Sequence, residues 1–331
     1  MKKRPAKNAH RWDWFHYHRL RWCGLFALTV ALVFGNCFAH LPTETRAKFG
    51  PFEVICESLG AATAGLTDTI GLTGHDASVA YEKEPPLVPL PFGVPQVADA
   101  TKVPGDVQVL KRQGYWVGYS PSLRRPVWAA YAIPVDRILE SIPDRPARFF
   151  RDEDVRSSPV HEDYTGSGYD RGHLAPNYAI ATRYGVAAQK ETFLLTNVAP
   201  QEPELNRGPW RILEGFIADD LPERVGTVWV IVCLVTGDET IQTRRRGDTH
   251  INIPDGFGMI LASVKEGRLY AIALYMPQDT EETKRPRYCF RSIRWLEERT
   301  GLNFFGALSQ DRQDALETVE VTRFWPQWEL F

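Results

Sequence analysis

The chain has 331 residues, 44% of them hydrophobic and 12% aromatic, with a formal net charge of -2. This length and composition are sufficient to bury one sizeable core, alone or with a small appendage. The charge excludes a protein that holds nucleic acid through a global basic field, so such a partner would be held by local basic clusters. The five cysteines fit no zinc-binding spacing and are too few for a disulfide framework.

A basic N-terminus precedes an apolar segment. Seven lysines and arginines lie before the apolar run from Trp22 to about Ala39, and Asp13 is the only acidic residue in front of it. This pattern predicts a signal peptide or a membrane anchor over residues 1–40, and the long basic flank favours an uncleaved anchor. An organelle-targeting sequence and a buried helix are the alternatives. We therefore expect an exported protein, anchored in the membrane with its folded domain outside the cytoplasm, or secreted or periplasmic.

Residues 41–102 are predicted to form a spacer followed by a proline-rich linker. The spacer contains many small and polar residues with only weak helical periodicity. The prolines of the segment from Glu84 to Pro95 are too dense for a helix or a central strand. The folded domain is therefore expected to start near Val103 and to occupy residues 103–331.

The folded domain mixes strand and helix patterns. Six segments rich in β-branched and aromatic residues predict strands over residues 115–119, 127–133, 193–197, 227–235, 258–264 and 269–275. Three segments predict helices, around Gln189 and over residues 206–220 and 291–300. Strands of hairpin type with segregated helices indicate the α+β class rather than regular βαβ alternation.

Two motifs concentrate polar side chains in one short stretch. The first is Tyr169-Asp-Arg-Gly-His-Leu-Ala-Pro176, and the second runs from Thr196-Asn-Val-Ala-Pro-Gln201 to Leu205-Asn206, Trp210 and Glu214. Together they supply a base, two cations, carboxamides and a carboxylate. This combination is typical of metal-assisted cleavage of a phosphodiester.

His173 and Arg171 are the candidates for proton transfer and phosphate binding. A neutral imidazole near pH 7 accepts a proton from water, and Gly172 beside it permits close approach of another chain. The guanidinium of Arg171 suits a phosphate oxygen, and the alternative for it is an ion pair with Asp170 or another acid. An ordinary structural or solvated histidine is the alternative for His173.

Asn206 and Glu214 are the candidates for holding a divalent cation. Mg²⁺ prefers oxygen ligands and keeps most of its waters, so one carboxamide and one carboxylate suffice. On a continuous helix these two side chains would lie about 80° apart, with Trp210 between them packing the helix against the sheet. The alternatives are a helix N-cap for Asn206 and a surface acid for Glu214.

These motifs resemble those of the DNA/RNA non-specific endonuclease family, and the segment from Asp163 to Asp170 is most similar to its endonuclease G branch. The resemblance spans roughly residues 115–308. It implies the ββα-metal nuclease fold, in which a central antiparallel sheet is flanked by helices. It also implies a metal-dependent endonuclease of little sequence specificity that leaves 5′-phosphate ends.

The resemblance further implies a role for each motif residue. His173 would be the general base that activates water, and Asn206 would be the direct ligand of Mg²⁺, for which Mn²⁺ would substitute. Glu214 would hold water of the cation, Arg171 would contact the phosphate, and Asn197 would help to order the site. The family also has an upstream arginine that stabilises the transition state. We assign this role to Arg148, with the nearby arginines 145 and 151 as competitors.

Several partners follow from these expectations. DNA and RNA would be recognised through the backbone, with further contacts from two basic clusters. These clusters comprise residues 244–246 and the basic side chains at 284, 285, 287, 291 and 294. Relatives of this branch are often dimers, so a homodimer is implied. The rival interpretations are a silent nucleic-acid-binding protein at a membrane, an exported toxin that needs an inhibitor protein, and an enzyme for another phosphodiester.

Overall fold

A computed structural model describes residues 78–80, 89–139, 141–142, 144–243 and 249–319. All of these residues belong to one compact unit. Its strands are β1 Ser78–Ala80, β2 Gln96–Val97, β3 Gln108–Arg112, β4 Tyr115–Ser120, β5 Arg125–Ile133, β6 Asp170–His173, β7 Val198–Gln201, β8 Val228–Thr243, β9 Thr249–Lys265, β10 Arg268–Pro277, β11 Phe290–Arg291 and β12 Leu302–Asn303. Its α-helices are α1 Asn177–Thr192, α2 Pro203–Leu205, α3 Arg211–Asp219, α4 Leu221–Val225, α5 Ile293–Thr300 and α6 Gln310–Glu317.

The strands form one large sheet and two small ones. The large sheet has eight strands in the order β1-β10-β9-β8-β5-β4-β3, with β11 also pairing with β10. Neighbouring strands in it pair antiparallel. β2 pairs with β12, and β6 pairs with β7. The α+β fold with a central antiparallel sheet and flanking helices is therefore confirmed.

The core lies on the middle strands of the large sheet. All nine residues of β5 are buried, because this strand is covered on both faces. Its run of β-branched and aromatic side chains suits such a position, and Trp128 and Tyr131 are among the largest fully buried side chains of the described residues. The sheet therefore gives the neighbouring small hairpin a rigid support.

Two predicted elements differ from the structure. Residues 193–197 are not a strand: Leu195–Asn197 form a 3₁₀ turn, and β7 begins only at Val198. The predicted helix over residues 206–220 is interrupted, because Asn206–Trp210 form a π-helical turn that contains Pro209 and the distorted Gly208. The helix predicted to stop at Gly301 is confirmed, since α5 ends there with Gly301 at φ 72°.

The folded domain includes residues that were expected to belong to the linker. β1 pairs with β10, Leu90 and Phe92 are buried, and β2 pairs with β12. The described part of residues 41–102 thus packs on the domain, and the expected start near residue 103 is corrected. Isolated prolines are compatible with this packing because the segment is extended and forms only short strands.

The N-terminal prediction concerns another part of the chain. Residues 1–40 lie outside the described ranges. Within those ranges, no helix combines the length and the hydropathy that crossing a membrane requires.

Candidate active site

The two sequence motifs are paired strands. β6 contains the Asp-Arg-Gly-His run, and it pairs with β7 so that Asp170 lies opposite Gln201 and His173 opposite Val198. The chain then passes through α2 and the π-helical turn into α3. This ββα arrangement places residues that are about 40 positions apart in sequence around a single cleft.

The cleft has a volume of about 620 Å³. Four of the predicted site residues line it, namely Arg171, His173, Asn206 and Glu214. Further charged and aromatic lining residues are Arg145, Phe149, Asp170, Tyr178, Arg207 and Arg211. Two predicted site residues, Arg148 and Asn197, do not line the cleft.

His173 is held as a neutral base. Its ring lies between Phe149, at a centroid distance of 5.0 Å, and the edge-on ring of Phe193 at 5.2 Å. Burial, followed by the positive charge of Arg145, lowers the pKa of His173 to about 3. Nε2 is buried and has no hydrogen-bond partner among the described residues. The imidazole is therefore neutral near pH 7, with one nitrogen uncommitted.

Asn206 is oriented by a carboxylate. It lies in the first position of the π-helical turn, and its Nδ2 donates to Asp170 Oδ2 at 2.9 Å. No other hydrogen bond of this side chain occurs within the described ranges, so Oδ1 stays available to a cation in the cleft. The N-cap alternative does not hold, because α2 and the π-helical turn have no side-chain cap.

Asp170 has a role that the sequence did not indicate. Besides Asn206, its carboxylate accepts from Arg207, with Nε at 2.8 Å from Oδ2 and Nη2 at 2.7 Å from Oδ1. Burial acts to raise the pKa of Asp170, but the hydrogen bonds from Arg207 and Asn206 outweigh it and hold the pKa below its usual value. The expected alternative, an ion pair between Asp170 and Arg171, is replaced by the pair with Arg207.

Glu214 is a partly buried residue on α3, one turn beyond Trp210. Trp210 Nε1 donates to Glu214 Oε1 at 3.1 Å, and the Trp210 ring packs on Phe257 of β9 at 5.4 Å. The prediction that Trp210 packs this helix against the sheet is confirmed. Burial raises the pKa of Glu214 to about 8, against the opposing effects of Trp210 and Arg145. The surface-acid alternative for Glu214 therefore does not apply.

The structure places Arg145, and not Arg148, at the cleft. Arg145 lines it and lies over the Phe193 ring, with 5.5 Å between the guanidinium carbon and the ring centroid. Arg148 is exposed and lies outside the lining, and Arg151 donates to the carbonyl of Arg156. Arg148 stays a prediction for the transition-state role, and Arg145 is the one of the three arginines that lines the cleft. The three arginines are so close in sequence that only the path of the chain separates them.

Arg171 and Asn197 contribute in different ways. Arg171 lines the cleft, and its Nη2 donates to the carbonyl of His161 at 2.7 Å. Asn197 is fully buried behind the cleft, where it accepts from the Ala175 amide at 2.9 Å and donates to the carbonyls of Ala175 and Thr192. Asn197 thus orders the loop that follows His173, as expected, without contacting the cleft.

The other basic clusters lie elsewhere or outside the described ranges. Residues 244–246 are not described. Arg294 pairs with Glu297, Asp314 and Glu317. Arg291 lies over the ring of Trp295, at 5.5 Å. Basic residues 284, 285, 291 and 294 do not line the cleft.

The donors of the cleft fit a hydrated divalent cation. They are oxygens: one carboxamide at Asn206 and one carboxyl at Glu214, on successive turns of the same segment. Mg²⁺ is commonly bound by one or two such groups with its remaining positions filled by water. In the described ranges no group of three or more His, Cys, Asp or Glu side chains could hold a metal.

Comparisons with known proteins agree with this site. Residues 95–311 match the family described as DNA/RNA non-specific endonuclease. The mitochondrial nuclease EXOG of Mus musculus is 28% identical over 274 residues, which are 77% of this chain and 72% of that protein. The mitochondrial endonuclease G of Homo sapiens is 29% identical over 183 residues, 53% of this chain and 61% of that protein. Nuclease C1 of Cunninghamella echinulata is 29% identical and covers 60% of this chain and 83% of its own length.

A solved structure shares the fold. It is EndoG in complex with EndoGI, a structure that addresses the inhibition of EndoG. It has a TM-score of 0.54 and 22% identity, and it covers 63% of this chain and 90% of its own. Because the family match takes in the two motifs, the cleft and most of the sheet, the chain belongs to the DNA/RNA non-specific endonucleases, with relatives in the endonuclease G branch.

Proposed function

We propose that this chain is a Mg²⁺-dependent endonuclease that hydrolyses backbone phosphodiester bonds of DNA and RNA with little sequence specificity. One observation carries the proposal: the side chains of His173 and Asn206 line the same cleft. A phosphate between them would meet a base and a cation site at once. Arginines that line the cleft suit contacts with phosphate oxygens, which supports recognition through the backbone.

His173 takes the proton from water as the water attacks phosphorus. Its low pKa keeps it neutral over the physiological range, so it is ready to accept without prior deprotonation. Phe149 and Phe193 fix the plane of its ring. The aromatic contacts therefore position the base, while the backbone pairing of β6 with β7 sets its height in the cleft.

Arginines neutralise the phosphate. Arg145 and Arg171 line the cleft on the segments before and beside His173, and both are suited to forked contacts with phosphate oxygens. Their charge stabilises the extra negative charge that develops as water attacks. We assign the role of the upstream arginine to Arg145.

Asn206 and Glu214 are the residues that would hold Mg²⁺. When bound, the cation supplies charge stabilisation at the phosphate and assists departure of the 3′ oxygen. Asp170 fixes the carboxamide of Asn206, and Trp210 fixes the carboxyl of Glu214. Cleavage of the bond between phosphorus and the 3′ oxygen leaves a 5′-phosphate and a 3′-hydroxyl.

A plasmid assay tests the proposal. Supercoiled plasmid should be nicked and then linearised with Mg²⁺, and a chelator should abolish the reaction. Mn²⁺ should restore activity and Ca²⁺ should restore less, because Ca²⁺ prefers more ligands at longer distances. RNA of mixed sequence should be degraded under the same conditions. Binding without cleavage in any of these metals would instead support the silent binding protein.

Export, dimerisation and inhibition are further parts of the proposal. The basic and apolar N-terminus supports export with a retained anchor over residues 1–40. EndoG of the solved complex has an inhibitor, so a proteinaceous inhibitor is proposed for this chain as well. Fractionation of cells that express the full chain, followed by light scattering of the purified protein, tests the anchor and the dimer.

A further inference from the structure

One carboxylate holds two groups of the cleft that have opposite electrostatic effects on a cation. Asp170 Oδ2 accepts from Asn206 Nδ2 at 2.9 Å and from Arg207 Nε at 2.8 Å, while Oδ1 accepts from Arg207 Nη2 at 2.7 Å. The carboxamide is the proposed cation ligand. The guanidinium is a positive charge within hydrogen-bonding distance of the same oxygen, so it offsets the negative charge that would attract a cation.

Arg207 is the more exposed partner of this ion pair. Its side chain is 69% exposed, whereas that of Asp170 is 19% exposed. An ion pair so open to solvent is weak, because water screens it and the long side chain loses freedom by forming it. A phosphate of a nucleic-acid strand in the cleft offers the same forked geometry as the carboxylate. The free-energy cost of moving the Arg207 guanidinium from the Asp170 carboxylate to a phosphate is therefore small.

Other arginines of the cleft lack this link. Arg171 donates to a carbonyl, and Arg211 donates through Nε to the carbonyl of Arg207 at 2.8 Å. Neither forms an ion pair within 4.0 Å among the described residues. Arg211 is exposed, lines the same cleft and lies one turn further along the chain, so it serves as a control that lacks the carboxylate partner.

We propose that Arg207 couples nucleic-acid binding to cation binding. A backbone phosphate draws its guanidinium away from Asp170, and the uncovered carboxylate then strengthens the hold on a divalent cation at Asn206. Because coupling between two ligands is reciprocal, the cation also strengthens nucleic-acid binding. The inference rests on the proposed function, since it needs both ligands in one cleft. It makes cation binding strongest when substrate is present.

The first measurement is of the cation alone. Mn²⁺ is titrated calorimetrically into the full chain, without nucleic acid, for the wild type, Arg207→Gln and Arg211→Gln. Arg207→Gln should bind Mn²⁺ about fivefold more tightly than Arg211→Gln, the low end of ordinary coupling because the pair is exposed. Arg207→Lys keeps the charge and should stay near the wild type. Equal affinities for the two glutamine variants overturn the inference.

The second measurement is of the coupling. A fluorescein-labelled DNA duplex is titrated against His173→Ala protein, which lacks the proposed base, with Mg²⁺ and with a chelator. The factor by which Mg²⁺ tightens duplex binding should be about fivefold smaller when Arg207→Gln is added to this protein. Arg211→Gln should leave that factor unchanged. Both arginine variants should reduce the salt dependence of binding by about one phosphate contact.

The outcomes separate the two proposals. If His173→Ala binds no duplex and the wild type cleaves no plasmid, the proposed function fails and the coupling fails with it. If duplex binding and cleavage are normal but Arg207→Gln and Arg211→Gln respond alike to metal, only the coupling fails. Because Arg207 is largely exposed, the glutamine variant should fold, and a thermal melt checks this.

Discussion

The central sheet and the cleft differ in the kind of polar group that they bury. In the sheet, the fully buried Arg125 donates to Asn252, Thr236 and the carbonyl of Pro126. In the cleft, His173 has a buried nitrogen without a partner among the described residues, and Glu214 has a strongly raised pKa. A buried polar group without a partner costs stability. The sheet carries such a cost as well, at the buried Nε1 of Trp128. The cleft differs in that its costly groups are titratable and line a cavity, as groups with chemistry to perform do.

The largest expected effect lies in the cleft and leaves the sheet untouched. Replacing His173 by alanine should reduce plasmid cleavage by about 10²–10⁴-fold, because the proposed general base is lost. Stability should fall modestly, because removing the ring from between Phe149 and Phe193 leaves a cavity. Initial rates with Mg²⁺ and thermal melts of the same preparation measure both. Cleavage at the wild-type rate would remove His173 from the reaction.

The sequence predicted the chemistry of the cleft better than its geometry. His173, Arg171, Asn206 and Glu214 were all found from the motifs, because each belongs to a residue type that the chemistry requires. Arg145 was not chosen, since three arginines in seven residues look alike until the chain path is known. Residue types reveal which groups react, while their placement depends on packing.

The two errors in secondary structure have different physical causes. Residues 193–197 have the composition of a strand, but the Asn197 side chain bonds to the backbone of Ala175 and Thr192 and holds the chain in a turn. The helix over residues 206–220 is broken where Pro209 follows Gly208. A tertiary hydrogen bond causes the first deviation and a backbone restriction causes the second, and both lie next to the cleft. The strands β4, β5, β8, β9 and β10 were predicted at least in part, whereas β1, β3 and β11 of the same sheet were not.

Asn197 joins the two regions, so its loss should affect both. Asn197→Ala leaves the Ala175 amide and two carbonyls without their partner in a buried place. We expect a loss of about 1–3 kcal/mol in the free energy of unfolding. Because the loop after His173 loosens, kcat should fall about tenfold with KM nearly unchanged, as for a positioning residue.

Urea titration and steady-state kinetics of this variant provide the two measurements. Asn197→Asp is a second variant, because it keeps the acceptor for Ala175 but replaces the donor with an oxygen that faces two carbonyls in a buried place. It should be at least as destabilised as Asn197→Ala. A raised KM with an unchanged free energy of unfolding would contradict the positioning role and place Asn197 in contact with substrate.

A pair of glycines compares the packing of the two regions. A Cβ on Gly118 of β4 would lie 2.2 Å from the Trp128 indole, whereas a Cβ on Gly215 of α3 meets no atom within 4 Å. Gly118→Ala should therefore destabilise the fold by about 1–3 kcal/mol through overpacking. Gly215→Ala should stabilise it by about 0.5–1 kcal/mol through helix propensity.

Urea titrations of both glycine variants test this contrast. Gly215 lines the cleft, so its methyl group should also lower the affinity for nucleic acid by a few-fold, while Gly118→Ala should leave the activity of the folded fraction unchanged. Equal stability changes for the two substitutions would show that the sheet is no more tightly packed than the cleft.

The smallest effect expected is a pH-dependent stabilisation when Glu214 is replaced by glutamine. The folded-state pKa of Glu214, about 8, lies above its ordinary value near 4.5, so the stability contributed by its protonated form is complete below about pH 4.5 and is lost as the pH rises through 8. Glutamine has no charge to bury. Because Glu214 is only partly buried, water screens much of the cost of its charge, so in chelator the variant should melt about 2–4 °C above the wild type at pH 8.5 and at the same temperature near pH 4.5. Added Mg²⁺ should narrow the difference at pH 8.5, because a bound cation compensates the carboxylate. A variant that melts below the wild type at pH 8.5 would show that the carboxylate is already compensated by the protein, and the cleft would then resemble the sheet in satisfying its own buried charge.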